Sequence, residues 1–121
     1  MKESIGFELR EVNGLQYYII PSFEETGLVK HGFTTRVGGI SSEPFNTLNL
    51  GLNTEDDKEN IMKNFECVSN AFNVPMGKMV LSDQVHGTAI RIITEEDAGK
   101  GLVKSMDYQN IDGLLTNVKG L

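Results

Sequence analysis

The sequence predicts an α+β fold, and three observations carry that prediction. Asn13-Gly14 separates two strand-like runs, one amphipathic helical pattern fills the middle of the chain, and further strand-like runs follow it. At 121 residues these elements amount to a single domain with a core and little to spare.

The first element is a hairpin. Phe7 and Leu9 alternate with Glu8 and Arg10, and Leu15 to Ile20 is rich in Tyr and Ile. Asn13-Gly14 between them is the pair that tolerates positive φ at both centres of a type I′ turn, so a half-buried antiparallel hairpin is expected. Pro21 to Gly27 is a connection with room for one helical turn, and Leu28 to Thr35 reads as a third strand.

That strand feeds the least regular part of the chain, His31 to Gly51. Arg36 is followed by Gly38 and Gly39, then by Ser41, Ser42 and Pro44, and the stretch closes on Asn49, Leu50 and Gly51. Long structureless loops in compact domains are usually functional or disordered. Phe33, Val37, Ile40, Phe45, Leu48 and Leu50 favour burial and hence order, which predicts an ordered, ligand-facing loop.

A helix over Glu55 to Asn73 comes next. Thr54 and Asp57 stand in capping-box spacing, and Glu55 and Asp56 suit the positive end of the helix dipole. Ile61, Phe65, Val68 and Phe72 recur at intervals of four, three and four and share one face. Met62 and Cys67 flank that stripe, and Pro75 stops the helix. Met79 to Asp83 and Thr88 to Thr94 then read as strands joined by Gln84-Val85-His86-Gly87. Glu95 to Asp107 reads as a flexible or partly helical acidic connection, and Ile111 to Val118 as a last strand. The apolar end of the chain, Ile111 to Leu121, looks like a cut through a domain, because domains usually end in exposed polar residues.

Bulk properties narrow the function. Hydrophobic content of 39% and charged content of 23% fit a soluble globular class. The net charge of -6 argues against a nucleic-acid partner, since phosphate backbones need a basic face. One cysteine, Cys67, excludes an internal disulfide framework. With no apolar leader and no membrane-length apolar run, a cytoplasmic location is expected.

Five residues could carry chemistry. His86 sits between two expected strands with a glycine after it, where an imidazole could bind a metal or move a proton; the alternative is a histidine satisfied locally in a turn. Arg36 with Gly38 and Gly39 suggests anion binding through forked guanidinium donors and converging backbone N–H groups; the alternative is a surface arginine beside a tight turn. Asn49 could meet a ligand or pin the loop to its own backbone. Asp112, outside that group, could cap a turn. Cys67 reads as a small buried hydrophobe rather than a nucleophile.

Four motifs taken together add a resemblance. Phe33-Thr34-Thr35-Arg36-Val37-Gly38-Gly39-Ile40-Ser41, Leu48-Asn49-Leu50-Gly51, Gln84-Val85-His86-Gly87 and Asp112-Gly113-Leu114-Leu115-Thr116 resemble, in order and spacing, the laccase-domain family. That family is also called the multicopper polyphenol oxidase or peptidoglycan-editing-factor family and is associated with purine nucleoside phosphorylase activity. The resemblance implies a layered α-β-β-α sandwich with mixed sheets, incomplete here at the C-terminus. It also implies phosphorolysis of adenosine, inosine, guanosine and methylthioadenosine, adenosine deamination, and an older label as a copper-dependent phenol oxidase.

The same resemblance implies a metal, usually zinc with copper as the alternative, on two histidines and a cysteine. The first histidine maps onto His86, and the Thr-Arg-x-Gly-Gly motif places Arg36 at the site as a phosphate partner; with the loop reading above, Arg36, Gly38, Gly39 and Asn49 are the expected substrate-binding residues. The family's Ala-Asp-Cys and His-Ala-Gly-Trp-Arg-Gly motifs do not occur here, and Cys67 does not match the family cysteine. The chain therefore reads as the N-terminal half of one laccase-type domain, inactive alone, and prone to self-association or to pairing with the other half. The competing expectation is a non-catalytic interaction domain.

Overall fold

The computed structural model describes residues 6–121. It is α+β and resolves into two compact units, Met1–Phe72 and Asn73–Leu121. Each is described by itself.

In the first unit, β1 (Glu8–Val12) pairs antiparallel with β2 (Leu15–Ile19), closing on Val12 opposite Leu15. The turn is the expected one: Asn13 has φ 52° and Gly14 φ 86°, the left-handed pair of a type I′ hairpin. α1 (Pro21–Glu24) is the single helical turn expected after the hairpin. Arg10 reaches it, donating to both Glu24 carboxylate oxygens at 2.8 and 2.9 Å.

The face that β1 buries differs from expectation. The register sets Glu8 opposite Ile19 and Arg10 opposite Tyr17, so the polar residues of β1 share a face with the buried residues of β2. Leu9 then falls opposite Tyr18, and Tyr18 opposite Phe33. Side chains alternate faces along a strand, so Phe7, Leu9, Tyr18 and Phe33 form an exposed apolar row. Phe7, Tyr18 and Phe33 line a hollow of about 290 Å³ on it.

The third strand is also shorter than expected: β3 is only Phe33–Thr34. Leu28 and Val29 are exposed, and the backbone N–H of Ile20 donates to His31 Nε2 at 2.7 Å instead of to a strand carbonyl. His31 is thereby a structural acceptor, its ring edge against Phe23.

α2 (Lys58–Phe72) starts three residues later than expected. Thr54 is drawn into a turn, donating from Oγ1 to Gly51 O at 2.7 Å. Asp57 caps the helix instead, its carboxylate accepting Glu59 N–H at 2.9 Å. The helix ends on Asn73 at φ 54°, the left-handed stop that asparagine tolerates. Ile61 and Phe65 of its stripe are buried with Leu15, Ile19 and Leu48, and Phe72 packs on the Tyr17 ring at 4.8 Å between centroids.

In the second unit, Met79 to Asp83 is not a strand. Its backbone is used singly, with Gly99 N–H on Met79 O, Leu81 N–H on Lys100 O and one antiparallel bridge between Asp83 and Ile111. β4 (Ile90–Ile92) and β5 (Gly113–Leu115) are shorter than the expected runs and pair parallel. Ile90, Ile92 and Leu115 are exposed, while Ile93 and Tyr108 are buried.

The acidic connection is ordered by charge. Glu95–Asp97 forms a tight helical turn with a capping box between Thr94 and Asp97. Asp97 is buried and takes Lys100 Nζ at 2.6 Å and Thr94 N–H at 2.8 Å. Lys100 also holds Asp107 at 3.0 Å, and the Arg91 guanidinium lies 4.6 Å from the centre of the Tyr108 ring.

Candidate functional site

Arg36, Gly38, Gly39 and Asn49 lie in the first unit and His86 in the second. Arg36 follows β3 by two residues, and its backbone is fixed. Its carbonyl accepts Thr47 N–H at 2.8 Å, Leu48 N–H at 2.9 Å and the Thr47 hydroxyl at 3.1 Å. Its side chain is exposed, and among the described residues the guanidinium has no hydrogen-bond or ion-pair partner. A fixed backbone with a free forked donor suits capture of a tetrahedral oxyanion.

The glycines work differently from the expected anion cradle. Gly38 and Gly39 N–H groups do converge, but on Thr47 Oγ1, at 3.1 and 3.2 Å. What the positions require is the absence of a side chain. A Cβ on Gly38, which sits at φ 115°, would lie 2.2 Å from Leu15 Cα, and one on Gly39 would lie 2.4 Å from Asn64 Oδ1 and Thr47 O. The pair lets the loop lie directly on the hairpin and on α2.

Asn49 pins the loop. Its amide donates to Thr54 Oγ1 at 2.8 Å and Asp56 Oδ2 at 3.2 Å, while its Oδ1 accepts Gly51 N–H at 3.0 Å. Both side-chain groups are engaged within the protein.

The residue that organises the loop is Asn64, which is fully buried on α2. Its Oδ1 accepts Ile40 N–H at 2.8 Å, and its Nδ2 donates to Ser41 Oγ and Asn49 O, each at 2.9 Å. Ser41 Oγ in turn donates to Asp56 Oδ2 at 2.5 Å. That hydroxyl, followed by Asn49 and neighbouring donors, holds the Asp56 carboxyl below its usual range. Sequence reasoning passed over Asn64, although a signal was there. It stands three residues from Ile61 and four from Val68, which places a polar amide on the apolar stripe itself.

His86 occupies the Gln84–Gly87 turn at φ 61°, a left-handed conformation that costs a non-glycine residue about 1–2 kcal/mol. Asp112 holds that turn, as the sequence suggested it could. Its Oδ1 accepts Val85 N–H at 3.1 Å and Gly87 N–H at 3.0 Å. These donors, Val85 foremost, hold the Asp112 carboxyl below its usual range. The His86 side chain is exposed, and among the described residues its ring has no hydrogen-bond partner.

Among the described residues no group of three or more His, Cys, Asp or Glu side chains could hold an ion. Cys67 is free and half-buried on α2. No helix among the described residues is long and apolar enough to cross a membrane.

Comparison with known proteins agrees with the motif pattern. A purine nucleoside phosphorylase of Bacillus subtilis, YlmD, is 36% identical over 94 residues, covering 74% of this chain and 33% of that protein. A Corynebacterium glutamicum purine nucleoside phosphorylase is 30% identical over 93 residues, covering 77% and 36%. This chain thus matches about a third of the length of these curated relatives. The crystal structure of YlmD from Geobacillus stearothermophilus matches with a TM-score of 0.76 at 29% identity, over 95% of this chain and 42% of that one. That of Bacillus licheniformis YfiH, described as a hypothetical protein, matches with a TM-score of 0.79 at 28% identity. The family model described as multi-copper polyphenol oxidoreductase laccase matches residues 30–121. The chain belongs to that family.

Proposed function

We propose that this chain supplies the phosphate-binding arginine and one functional histidine of a purine nucleoside phosphorylase, with the rest of the site coming from sequence outside it. The observation that carries this reading is Arg36: its carbonyl is held by Thr47 and Leu48 while its exposed guanidinium has no partner among the described residues. The names of the relatives supply the reaction.

In phosphorolysis a phosphate oxygen forms a bond to the nucleoside C1′ as the bond from C1′ to the purine breaks. The departing purine takes the electron pair and gains a proton, leaving ribose 1-phosphate. Arg36 would hold and orient the phosphate, and its charge would offset the phosphate's own. Gly38 and Gly39 would allow the loop its close fit, and Asn49 would keep it in shape. Adenosine, inosine, guanosine and methylthioadenosine are the proposed substrates, with adenosine deamination as a further activity and the cytoplasm as the location.

Zinc, with copper as the alternative, is the proposed metal. His86 would be one donor and the others would come from outside this chain, as would the partner surface for the exposed row of Phe7, Leu9, Tyr18 and Phe33. Residues 1–121 alone are accordingly expected to be inactive.

The test is purine release from inosine and adenosine by the complete gene product, with and without phosphate. Release that depends on phosphate, falls with His86→Ala and is absent from residues 1–121 alone is the expected result. Absence of phosphate-dependent release from the complete gene product would refute the reading.

A further inference from the structure

The turn that carries His86 belongs to a reciprocal clasp. Asp83 and Asp112 lie on the two segments joined by the Asp83–Ile111 bridge. Each carboxylate reaches across to the other segment. Asp112 accepts the N–H groups of Val85 and Gly87, and Asp83 Oδ2 accepts Asn110 N–H at 2.8 Å. Each side of the clasp contains one left-handed non-glycine residue, His86 at φ 61° and Asn110 at φ 59°.

This arrangement has a directional consequence. N–H groups from consecutive residues aim at one point only where the backbone curls, and a left-handed residue in the run produces that curl. An anion at that point stabilises the curl, and here the anion is the protein's own carboxylate. The imidazole of a residue at φ 61° leaves the chain in a direction that an extended His86 could not reproduce. The ring makes no hydrogen bond of its own among the described residues, so the backbone conformation is what aims it. Gly87 fits the same design: a Cβ there would lie 3.3 Å from Asp112 Oδ1 and press on the acceptor.

We infer that Asp112 is the positioning residue for His86, acting through its Oδ1 on the N–H groups of the Gln84–Gly87 turn. The functional weight of the inference rests on the reading of His86 given above; its geometric content does not. The Val85 and Gly87 hydrogen bonds both run to the single oxygen Oδ1. Asparagine, which keeps an acceptor at that atom, should therefore serve in place of aspartate, and alanine should not.

The geometric test is nuclear magnetic resonance on residues 1–121. Asp112→Ala should release His86 from the left-handed region, read from its N–H to Hα coupling and nuclear Overhauser pattern. It should also speed amide exchange at Val85 and Gly87 by about tenfold, as loss of a hydrogen bond to a charged acceptor implies. Asp112→Asn should retain the His86 conformation and most of the protection. Should Asp112→Ala fail to fold, Asp112→Asn and Asp83→Ala carry the test: the first should leave the His86 turn in place, and the second should free Asn110 N–H while sparing Val85 and Gly87. Unchanged His86 geometry in Asp112→Ala, or loss of that geometry in Asp112→Asn, would overturn the inference.

The functional arm uses phosphorolysis by the complete gene product. Asp112→Ala should lower kcat by about 10–100-fold, the usual cost of removing the group that orients a functional histidine, with KM for phosphate unchanged and recovery in Asp112→Asn. If His86→Ala is itself fully active, the reading of His86 fails while the geometric result stands.

Discussion

The two units present their exposed candidate side chains by different physical means. In the first, the loop bearing Arg36 is held chiefly by neutral groups, the buried Asn64 amide, the Thr47 hydroxyl and two glycines with no room for a side chain, with the Asp56 carboxylate at the edge of that network. In the second, the turn bearing His86 and the turns around Asp97 are held by carboxylates. Neutral hydrogen bonds do not themselves titrate, and a buried amide such as Asn64 is intolerant of substitution. Carboxylate clasps tolerate isosteric change and depend on ionisation. The difference predicts that substitution tells most on the first unit, where Asp56 alone ties the loop network to a carboxylate, and that acid tells most on the second.

The largest effect is expected at Asn64. Asn64→Ala leaves the Ile40 N–H and the Asn49 carbonyl without their partner in the core and opens a void. Denaturant unfolding should show a loss of about 3 kcal/mol. A loss below about 1 kcal/mol would mean that water replaces the amide readily, and the contrast between the units would weaken.

Gly38→Ala should cost about 2 kcal/mol by the same measurement. The new methyl meets Leu15 Cα, and the position sits at φ 115°, so overpacking and backbone strain both act. The cost should fall on the first unit, read as faster amide exchange in β1 and β2.

Acid should act most on the second unit. The Lys100 ammonium, then the Thr94 N–H, hold the Asp97 carboxyl at about 2, below its ordinary 3.8. A carboxylate whose pKa is lower in the folded state stabilises that state fully above the ordinary value, and the benefit is lost as pH falls from about 4 through about 2. Amide exchange or unfolding followed between pH 5 and 2 should show the second unit loosening in that window, and Asp97→Asn should flatten the dependence.

The smallest effect is expected at Arg36. Its guanidinium is exposed and unpartnered among the described residues, so Arg36→Ala should change stability by no more than about 0.5 kcal/mol. A larger loss would make Arg36 a structural residue and remove the reason for assigning it a ligand.

Features governed by short-range rules were legible in the sequence. Asn13-Gly14 specified its turn because positive φ at two successive residues suits few other pairs. Ile61 and Phe65 marked the buried side of α2 because the helical period is local. The face of β1 was not legible, since alternation shows that Leu9 and Arg10 differ in side but not which side is covered. The start of α2 was misplaced because Thr54 and Asp57 both fit a cap locally, and the Gly51 carbonyl decides between them.

At the site the residue types were legible and their duties less so. Arg36 and His86 stood out by type and by glycine neighbours, and Asp112 was recognised as a possible turn cap. That the Gly38 and Gly39 N–H groups are spent on Thr47 depends on a hydroxyl eight or nine residues away. That Asp112 aims His86 depends on a carboxylate 26 positions further along the chain. Neither distance leaves a local pattern.

The most direct test of the account is the KM for phosphate of the complete gene product carrying Arg36→Ala, with inosine saturating. Loss of a forked, charged contact predicts a rise of at least about tenfold in a protein of unchanged stability. An unchanged KM for phosphate would contradict the assignment of Arg36 and, with it, the central claim that this loop exists to present an arginine to phosphate.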